Sequence, residues 1–379
     1  MLDLQSRIDR LTEEQQMIRD SAASFFGEDG DLKGIRAQRG RQPGYRDDRW
    51  RSMAELGWLG GMLPEEYDGM NLKFSEIIHL LEQSGRFLSP EPLISAAVMG
   101  AGGLLYGEND ACKAEYLPKL VAGEWKVAVA WQENIASMSL EAEAVTAKET
   151  DDGYVVSGKK LFIPSAGGMN AFIVSAKEGG RTILLLVNKD AEGVSVEFEE
   201  RVDGGFFGTL SLSNVVVAKD RVIASAGVAT LERVIEESRL AVSAELFGVM
   251  ARALEITVDY IKQREQFGRP IGSFQALQHR AVDTFILVEL SRSVLIQAAK
   301  TFDETEDTAA RAKAASQVKA RCSDAALQVT KSCIQMHGGI GYTDECDIGL
   351  YLKKAMVLSA WLGQATFHRT RYGELTNAA

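Results

Sequence analysis

Proline is scarce in this chain, with 7 in 379 residues. A proline inside a helix removes a hydrogen bond and clashes with the preceding turn, so its rarity leaves room for long unbroken helices. The four cysteines, Cys112, Cys322, Cys333 and Cys346, show no CxxC spacing. That gives little basis for a metal site or a redox dithiol, and fits reduced thiols in a cytoplasmic protein. No apolar run approaches the ~18 residues that would cross a bilayer. Met1 to Arg7 is amphipathic and lacks the apolar centre of a signal peptide, so a soluble, cytoplasmic chain with no membrane span is expected. Positive charge is also short: the net charge of −11 argues against a nucleic-acid partner. An acidic protein can still hold an anion by gathering cations locally, and Arg264, Arg269 and Arg280 are the candidates. There is no internal repeat or low-complexity tract.

Hydrophobic content of 46% and charged content of 25% are ordinary for a globular protein. The length exceeds what one core holds, so two or three packed units are expected. Apolar residues recur at three and four over 1–124, which predicts a helical domain with breakers at Asp29-Gly30, Pro64 and Ser89-Pro90. Over 125–229 the pattern turns to alternation and β-branched runs: Thr146 to Thr150, Gly153 to Ser157, Ala171 to Ala176 and Thr182 to Val187. Tight turns at Asp151-Asp152-Gly153 and Glu178-Gly179-Gly180 separate them, predicting a small β-sandwich or barrel. Over 230–379 helical periodicity returns, in segments at 230–264, 275–303, 307–337 and 347–372. The fold class is α+β.

Two short stretches carry the chemistry. Gln335-Met336-His337-Gly338-Gly339-Ile340-Gly341-Tyr342-Thr343 reads as a helix end breaking into glycines. Arg264-Glu265-Gln266-Phe267-Gly268 is a helix end with a cation, an amide and an aromatic before a breaker. Glycines admit a phosphate close to the backbone, and exposed N–H groups with a fixed guanidinium can hold a pyrophosphate. Both lie in helical sequence, which suggests a dinucleotide held by helices rather than by a Rossmann crossover. The plainer alternatives are a solvated helix-terminal cation at Arg264 and a simple helix cap at Gly338-Gly339.

These residues resemble the C-terminal domain of the acyl-CoA dehydrogenase family. The resemblance to that family covers nearly the whole chain: Thr12-Glu13-Glu14-Gln15, Leu56-Gly57-Trp58-Leu59-Gly60, Pro64-Glu65-Glu66-Tyr67-Asp68-Gly69, Tyr116-Leu117-Pro118, Gly153-Tyr154-Val155-Val156-Ser157-Gly158-Lys159-Lys160 and Phe267-Gly268-Arg269-Pro270-Ile271-Gly272-Ser273-Phe274-Gln275 follow in family order. The resemblance implies an N-terminal helical domain, a middle β domain and a C-terminal four-helix bundle. It implies FAD, with a tail site of Arg264, Gln266, Phe267, Phe274, Gln275, Gln335, Met336, Gly338 and Gly339 shared between neighbouring subunits. It also implies α,β-dehydrogenation of an acyl-CoA, a homo- or heterotetramer, and electron-transferring flavoprotein as acceptor.

In that family a glutamate removes the α-proton while the β-hydride goes to FAD. The usual Tyr-Glu-Gly-Thr loop reads Trp361-Leu362-Gly363-Gln364 here, and the alternative glutamate before an arginine reads Ser238-Arg239. Leucine cannot accept a proton. Glu245 lies about 20° from the stripe of Ser238 and about 10 Å farther along the helix. Its apolar neighbours would raise its pKa toward a base's range, so Glu245 is the candidate base; the alternative is a structural carboxylate paired with an arginine of an adjacent helix. Glu237 points about 100° away from Ser238.

The flavin-facing loops also depart from the resemblance. Gln132 to Ser139 replaces an acidic, glycine-rich loop, and Phe162-Ile163-Pro164-Ser165 replaces Trp-Ile-Thr-Asn/Ser. Ser165 keeps a hydroxyl and Trp131 is expected to line the pocket. Phe162 is either a core aromatic or part of that wall, and His279 is expected to pack. These departures resemble a divergent bacterial branch that includes the small subunit of pimeloyl-CoA dehydrogenase and steroid side-chain dehydrogenase subunits, in which one subunit supplies the base. The functional expectation is an FAD-dependent subunit acting on a bulky or dicarboxylic acyl-CoA. The alternatives are a catalytically silent structural or regulatory subunit, or a flavoenzyme with altered chemistry.

Overall fold

A computed structural model describes residues 11–28 and 32–377. The amphipathic start at Met1 to Arg7 and the breaker at Asp29-Gly30 lie outside the described residues. Thr12 opens α1 (Glu13–Gly27) with a capping box, its hydroxyl accepting from the Gln15 amide and the Gln15 side chain accepting from the Thr12 amide. α2 (Lys33–Gln38), α3 (Asp47–Glu55) and α4 (Phe74–Arg86) follow. Leu93–Gly100 is wound as a π-helix whose eight residues are all buried. It continues into α5 (Ala101–Leu105), and α6 (Asp110–Val121) is capped by the Asn109 side chain on the Cys112 amide. No helix among the described residues is long and apolar enough to cross a membrane.

Eight strands come next: β1 (Val127–Ala130), β2 (Thr146–Glu149), β3 (Gly153–Pro164), β4 (Ala171–Glu178), β5 (Arg181–Asn188), β6 (Val194–Glu200), β7 (Phe206–Ala218) and β8 (Val222–Ala224). The expected sandwich or barrel is a single mixed sheet of order β6-β7-β3-β2-β4-β5-β8, with β1 parallel to β4. β6, β7, β3 and β2 form one antiparallel half. The other half is built on β4 and β5, and the two meet at one register pair, Thr146 with Lys177. The four strands that the alternation predicts are β2 to β5; β1, β6, β7 and β8 are additions.

The last part is helical: α7 (Gly227–Gln263), α8 (Gln275–Glu304), α9 (Thr308–His337), α10 (Ile348–Ala360) and α11 (Ala365–Asn377). Helices α7, α8, α10 and α11 all pack on α9. The segment expected over 347–372 is two helices, divided where Leu362 and Gly363 take φ of 60° and 107°. α4 and α7 approach backbone to backbone: a Cβ on Gly85 would lie 2.0 Å from the Glu245 carbonyl, and one on Gly248 would lie 1.9 Å from the Glu82 carbonyl. On α8, Val282, Ile286 and Leu290 leave an exposed apolar stripe at every fourth position.

Candidate active site

Helix α7 carries the first part of the site. Ser238 is buried and spends its hydroxyl on the Val234 carbonyl at 2.7 Å. Next to it, the buried Arg239 donates from Nε to the Leu362 carbonyl at 3.1 Å and from Nη1 to Glu236 at 2.8 Å. Of the two positions where the resemblance would place a base, Leu362 meets this guanidinium through its carbonyl and Ser238 spends its hydroxyl within its own helix. Neither offers a carboxylate. The carboxylate that reaches this point is Glu236, which also takes Arg371 at 2.5 Å and so serves as a counter-ion.

The Leu362-Gly363 turn is held from three sides. Besides Arg239, His368 Nε2 lies 3.0 Å from the Leu362 carbonyl, which makes Nε2 the protonated nitrogen of a neutral ring. Burial and then the Arg239 and Lys319 charges push His368 far below its usual pKa, keeping it neutral. Lys319 Nζ donates to the carbonyls of Gly363 at 3.0 Å and Ser359 at 3.1 Å, and to the Ser323 hydroxyl. Burial, then the Arg239 charge, brings Lys319 down to about 7 from 10.5. Between those values the unfolded chain holds a proton that the folded chain lacks, so stability should rise with pH across that window. Lys319→Met should flatten the rise, read as a difference between the two melting-temperature profiles. Parallel profiles would show that Lys319 stays charged.

Glu245 is buried but not free. Lys354 of α10 sits 2.7 Å from its carboxylate and also donates to the Ser89 carbonyl at 3.1 Å. The alternative of a structural ion pair is thus the arrangement seen, with a lysine in place of the expected arginine. Stripping one partner from a buried pair leaves an uncompensated charge, at roughly 3–5 kcal/mol. A base role for Glu245 would require Lys354 to withdraw. Glu237, set aside on helical geometry, is a buried carboxylate whose pKa rises to about 7, through burial and despite Arg233. It accepts from the Tyr106 hydroxyl at 2.9 Å and lies in a cluster with Arg233 and Arg311.

The second part of the site lies at the far end of α7. Arg264 caps the helix, and Gln266 and Arg269 pair across a tight hairpin whose turn residues, Phe267 and Gly268, have φ of 55° and 74°. Phe267 is 93% exposed and meets Phe274 edge-on, while the Arg269 guanidinium sits 4.1 Å over the Phe274 ring. Gln275 and Gln335 are exposed. α9 ends at Gly338, whose φ of 69° and ψ of −148° only glycine adopts readily. A Cβ on Gly338 or Gly339 would meet nothing within 4 Å, so this bend is open to a ligand.

The end of α7 and the end of α9 adjoin within one chain, where the Tyr260 ring stacks on His337 at 4.3 Å. Each chain thus carries both halves of the expected tail site, the guanidinium end of α7 and the glycine bend of α9. Met336 is 2% exposed, so only its backbone is available there. His279, expected to pack, is exposed.

Comparison with known proteins decides the family. Residues 12–124 match the acyl-CoA dehydrogenase N-terminal domain and residues 225–374 the acyl-CoA dehydrogenase C-terminal domain. A variant of the steroid ACAD Tcur3481-Tcur3483 is 32% identical with a TM-score of 0.88, covering 97% of this chain and 98% of its own. The chain belongs to the acyl-CoA dehydrogenase family. The ChsE4-ChsE5 complex from Mycobacterium tuberculosis is also similar, at 25% identity and a TM-score of 0.90 over 98% of this chain and 100% of that one. Among curated relatives, the 3-(aryl)acrylate reductase of Clostridium sporogenes is 28% identical over 93% of this chain and 95% of its own length.

FAD is the cofactor of this acyl-CoA dehydrogenase family member, and the open bend at Gly338-Gly339 with the exposed Phe267 fits its nucleotide end. Gly338→Val should lower flavin retention by roughly 5- to 150-fold, since forcing a β-branched residue there strains the bend by roughly 1–3 kcal/mol. The check is the ratio of bound flavin to protein after gel filtration; a wild-type ratio would move the cofactor's tail elsewhere.

On the β side, Ser165 is half-buried in a left-handed conformation after Pro164, its amide donating to the Phe206 carbonyl. Phe162 is also left-handed and meets Phe207 edge-on. Trp131, expected to line a pocket, is 6% exposed and packs in the core, because Lys160 draws the end of β1 inward through the Trp131 carbonyl at 3.1 Å. The lysine closes a strand motif in the sequence, where nothing assigned it a role of its own. It is fully buried, bonding Glu133 at 2.7 Å and Ser175 at 2.7 Å, and Glu133 in turn accepts from the amides of Glu143, Ala144 and Val145. Burial lowers Lys160 to about 8. Burial alone would raise Glu133, but the Ala144 amide and Lys160 outweigh it and hold the carboxyl below its usual value.

Proposed function

We propose that this chain is an FAD-binding subunit of an acyl-CoA dehydrogenase assembly that lacks its own α-proton base. The observation that carries this reading is that neither expected base position presents a carboxylate: Ser238 spends its hydroxyl on the Val234 carbonyl, and Leu362 meets Arg239 through its own carbonyl. Arg264, Gln266, Phe267, Phe274, Gln275, Gln335, Gly338 and Gly339 would hold the nucleotide end. When bound, FAD supplies the acceptor for the β-hydride of the thioester. Arg239, Lys319 and His368 fix the turn at Leu362-Gly363 and keep water from it. The exposed stripe of Val282, Ile286 and Leu290 supports assembly with another subunit, in a homo- or heterotetramer. The ChsE4-ChsE5 pairing and the steroid ACAD support a heteromer whose partner brings the carboxylate. Electron-transferring flavoprotein is the acceptor that the family suggests.

The visible spectrum of the purified chain, alone and with a paralogous partner, tests this against a panel of CoA thioesters. Bound flavin that bleaches only when the partner is present is the expected result. Bleaching by the single chain would overturn the base-lacking reading, and its loss in Glu245→Gln would then assign the base. A chain that stays colourless in every combination would leave a silent structural subunit.

A further inference from the structure

A buried carboxylate outside the machinery above has an unmatched acceptor. The Glu91 side chain is 1% exposed. Its Oε2 accepts the Ser89 hydroxyl at 2.5 Å, while its Oε1 has no hydrogen-bond partner. The nearest cation, Arg49 Nε, stands 3.7 Å from Oε1, beyond hydrogen-bonding range. A buried acceptor left unmade is destabilising, so an oxygen of this kind points to an occupant that completes it.

Glu91 lines a cavity of about 110 Å³ together with Arg49, Arg252, Asp347, Tyr351 and Phe87. This cavity shares Ile35, Gln38 and Pro90 with a second one, which reaches Ser165, Phe206 and Lys354. A continuous polar chain joins the two: Glu245 pairs with Lys354, Lys354 bonds the Ser89 carbonyl, and the Ser89 hydroxyl bonds Glu91. The space beside Glu91 thus lies behind the β-domain edge at Ser165, and its size takes the end of a chain rather than the whole of one.

Charge selects the occupant. A carboxylate would be set against Glu91 and Asp347. An ammonium would face the guanidinium of Arg49 at the same oxygen, while the other two guanidiniums lining the cavity are taken, Arg46 by Asp48 and Arg252 by Glu255. An apolar terminus would leave Oε1 unmatched. A hydroxyl donates to Oε1 and turns its lone pairs toward the guanidinium beside it.

We infer that the cavity beside Glu91 receives a neutral hydroxyl on the distal part of the acyl thioester, making Glu91 a specificity-determining residue. This rests on the thioester reading above. Of the two substrate types expected from the sequence, it favours the bulky neutral one over the dicarboxylic one.

Calorimetric titration of the FAD-loaded protein, anaerobically and without an acceptor, tests the inference. The probes are ω-hydroxyhexanoyl-, ω-hydroxyoctanoyl- and ω-hydroxydecanoyl-CoA against the matching unsubstituted thioesters. At least one hydroxylated member should bind about tenfold or more tightly than its counterpart, the scale of a made versus an unmade buried hydrogen bond. Glu91→Leu should abolish or reverse that preference, and Glu91→Gln, which keeps an acceptor oxygen, should retain part of it. Equal binding of every pair by the unmutated protein would overturn the inference, assign the cavity to bound water and leave the thioester reading standing. Failure of all the thioesters to bind would remove both.

Discussion

Placing a methyl group on Gly248 is expected to unseat α4 from α7. The added Cβ would lie 1.9 Å from the Glu82 carbonyl, and the obstacle is backbone, which no rotamer change relieves. The helices would have to part by more than an ångström along a contact that also holds Gly85 against Glu245. Overpacking of this kind costs about 3 kcal/mol or more, so Gly248→Ala should lower the melting temperature sharply. Gly85→Ala should do the same, with its Cβ 2.0 Å from the Glu245 carbonyl. Gly373 on α11 is the control, since a Cβ there would meet nothing within 4 Å. Gly373→Ala should stabilise by roughly 0.5–1 kcal/mol through helix propensity alone. If Gly248→Ala melts with the wild type, the backbone contact is not as close as described.

The second large effect belongs to Arg239. Arg239→Ala would leave Glu236 with Arg371 as its remaining cation and would remove one of the donors that fix the Leu362 carbonyl. Losing one partner of a buried charged network costs on the order of 3 kcal/mol or more. Arg239→Lys should recover little of it, because a lysine lacks the planar fork that reaches Glu236 and Leu362 together. Denaturant unfolding of the two variants reads this directly. Full recovery by lysine would show that charge, rather than the two-pronged geometry, is what matters there.

The order of helices, strands and helices was legible because each part keeps one period over many residues. α7, α8 and α9 begin and end within a few residues of where apolar periodicity places them. The break at Leu362-Gly363 was not, since a single glycine in an apolar stretch reads as a tolerated interruption. β6 escaped notice because Val194–Glu200 is mostly exposed and polar, with a weak inward pattern. The residues of the proposed tail site sit in local motifs. The ion pairs were not: Glu245 meets a lysine of another helix, and Lys160 meets Glu133 across the sheet. Local periodicity carries no information about such partners, so burial without a visible counter-ion suggested a free base where a pair exists.

Lys160 also bears on how the β domain comes apart. The two sets of strands share one register pair, Thr146 with Lys177, so few ladder bonds resist their separation. The ammonium of Lys160, reaching from β3 to Ser175 on β4 and to Trp131 and Glu133, crosses that seam from inside. With Lys160→Met, amide exchange should resolve the sheet into two blocks that open independently, β3 with β7 and β4 with β5. In the unmutated protein the same amides should exchange as one cooperative block.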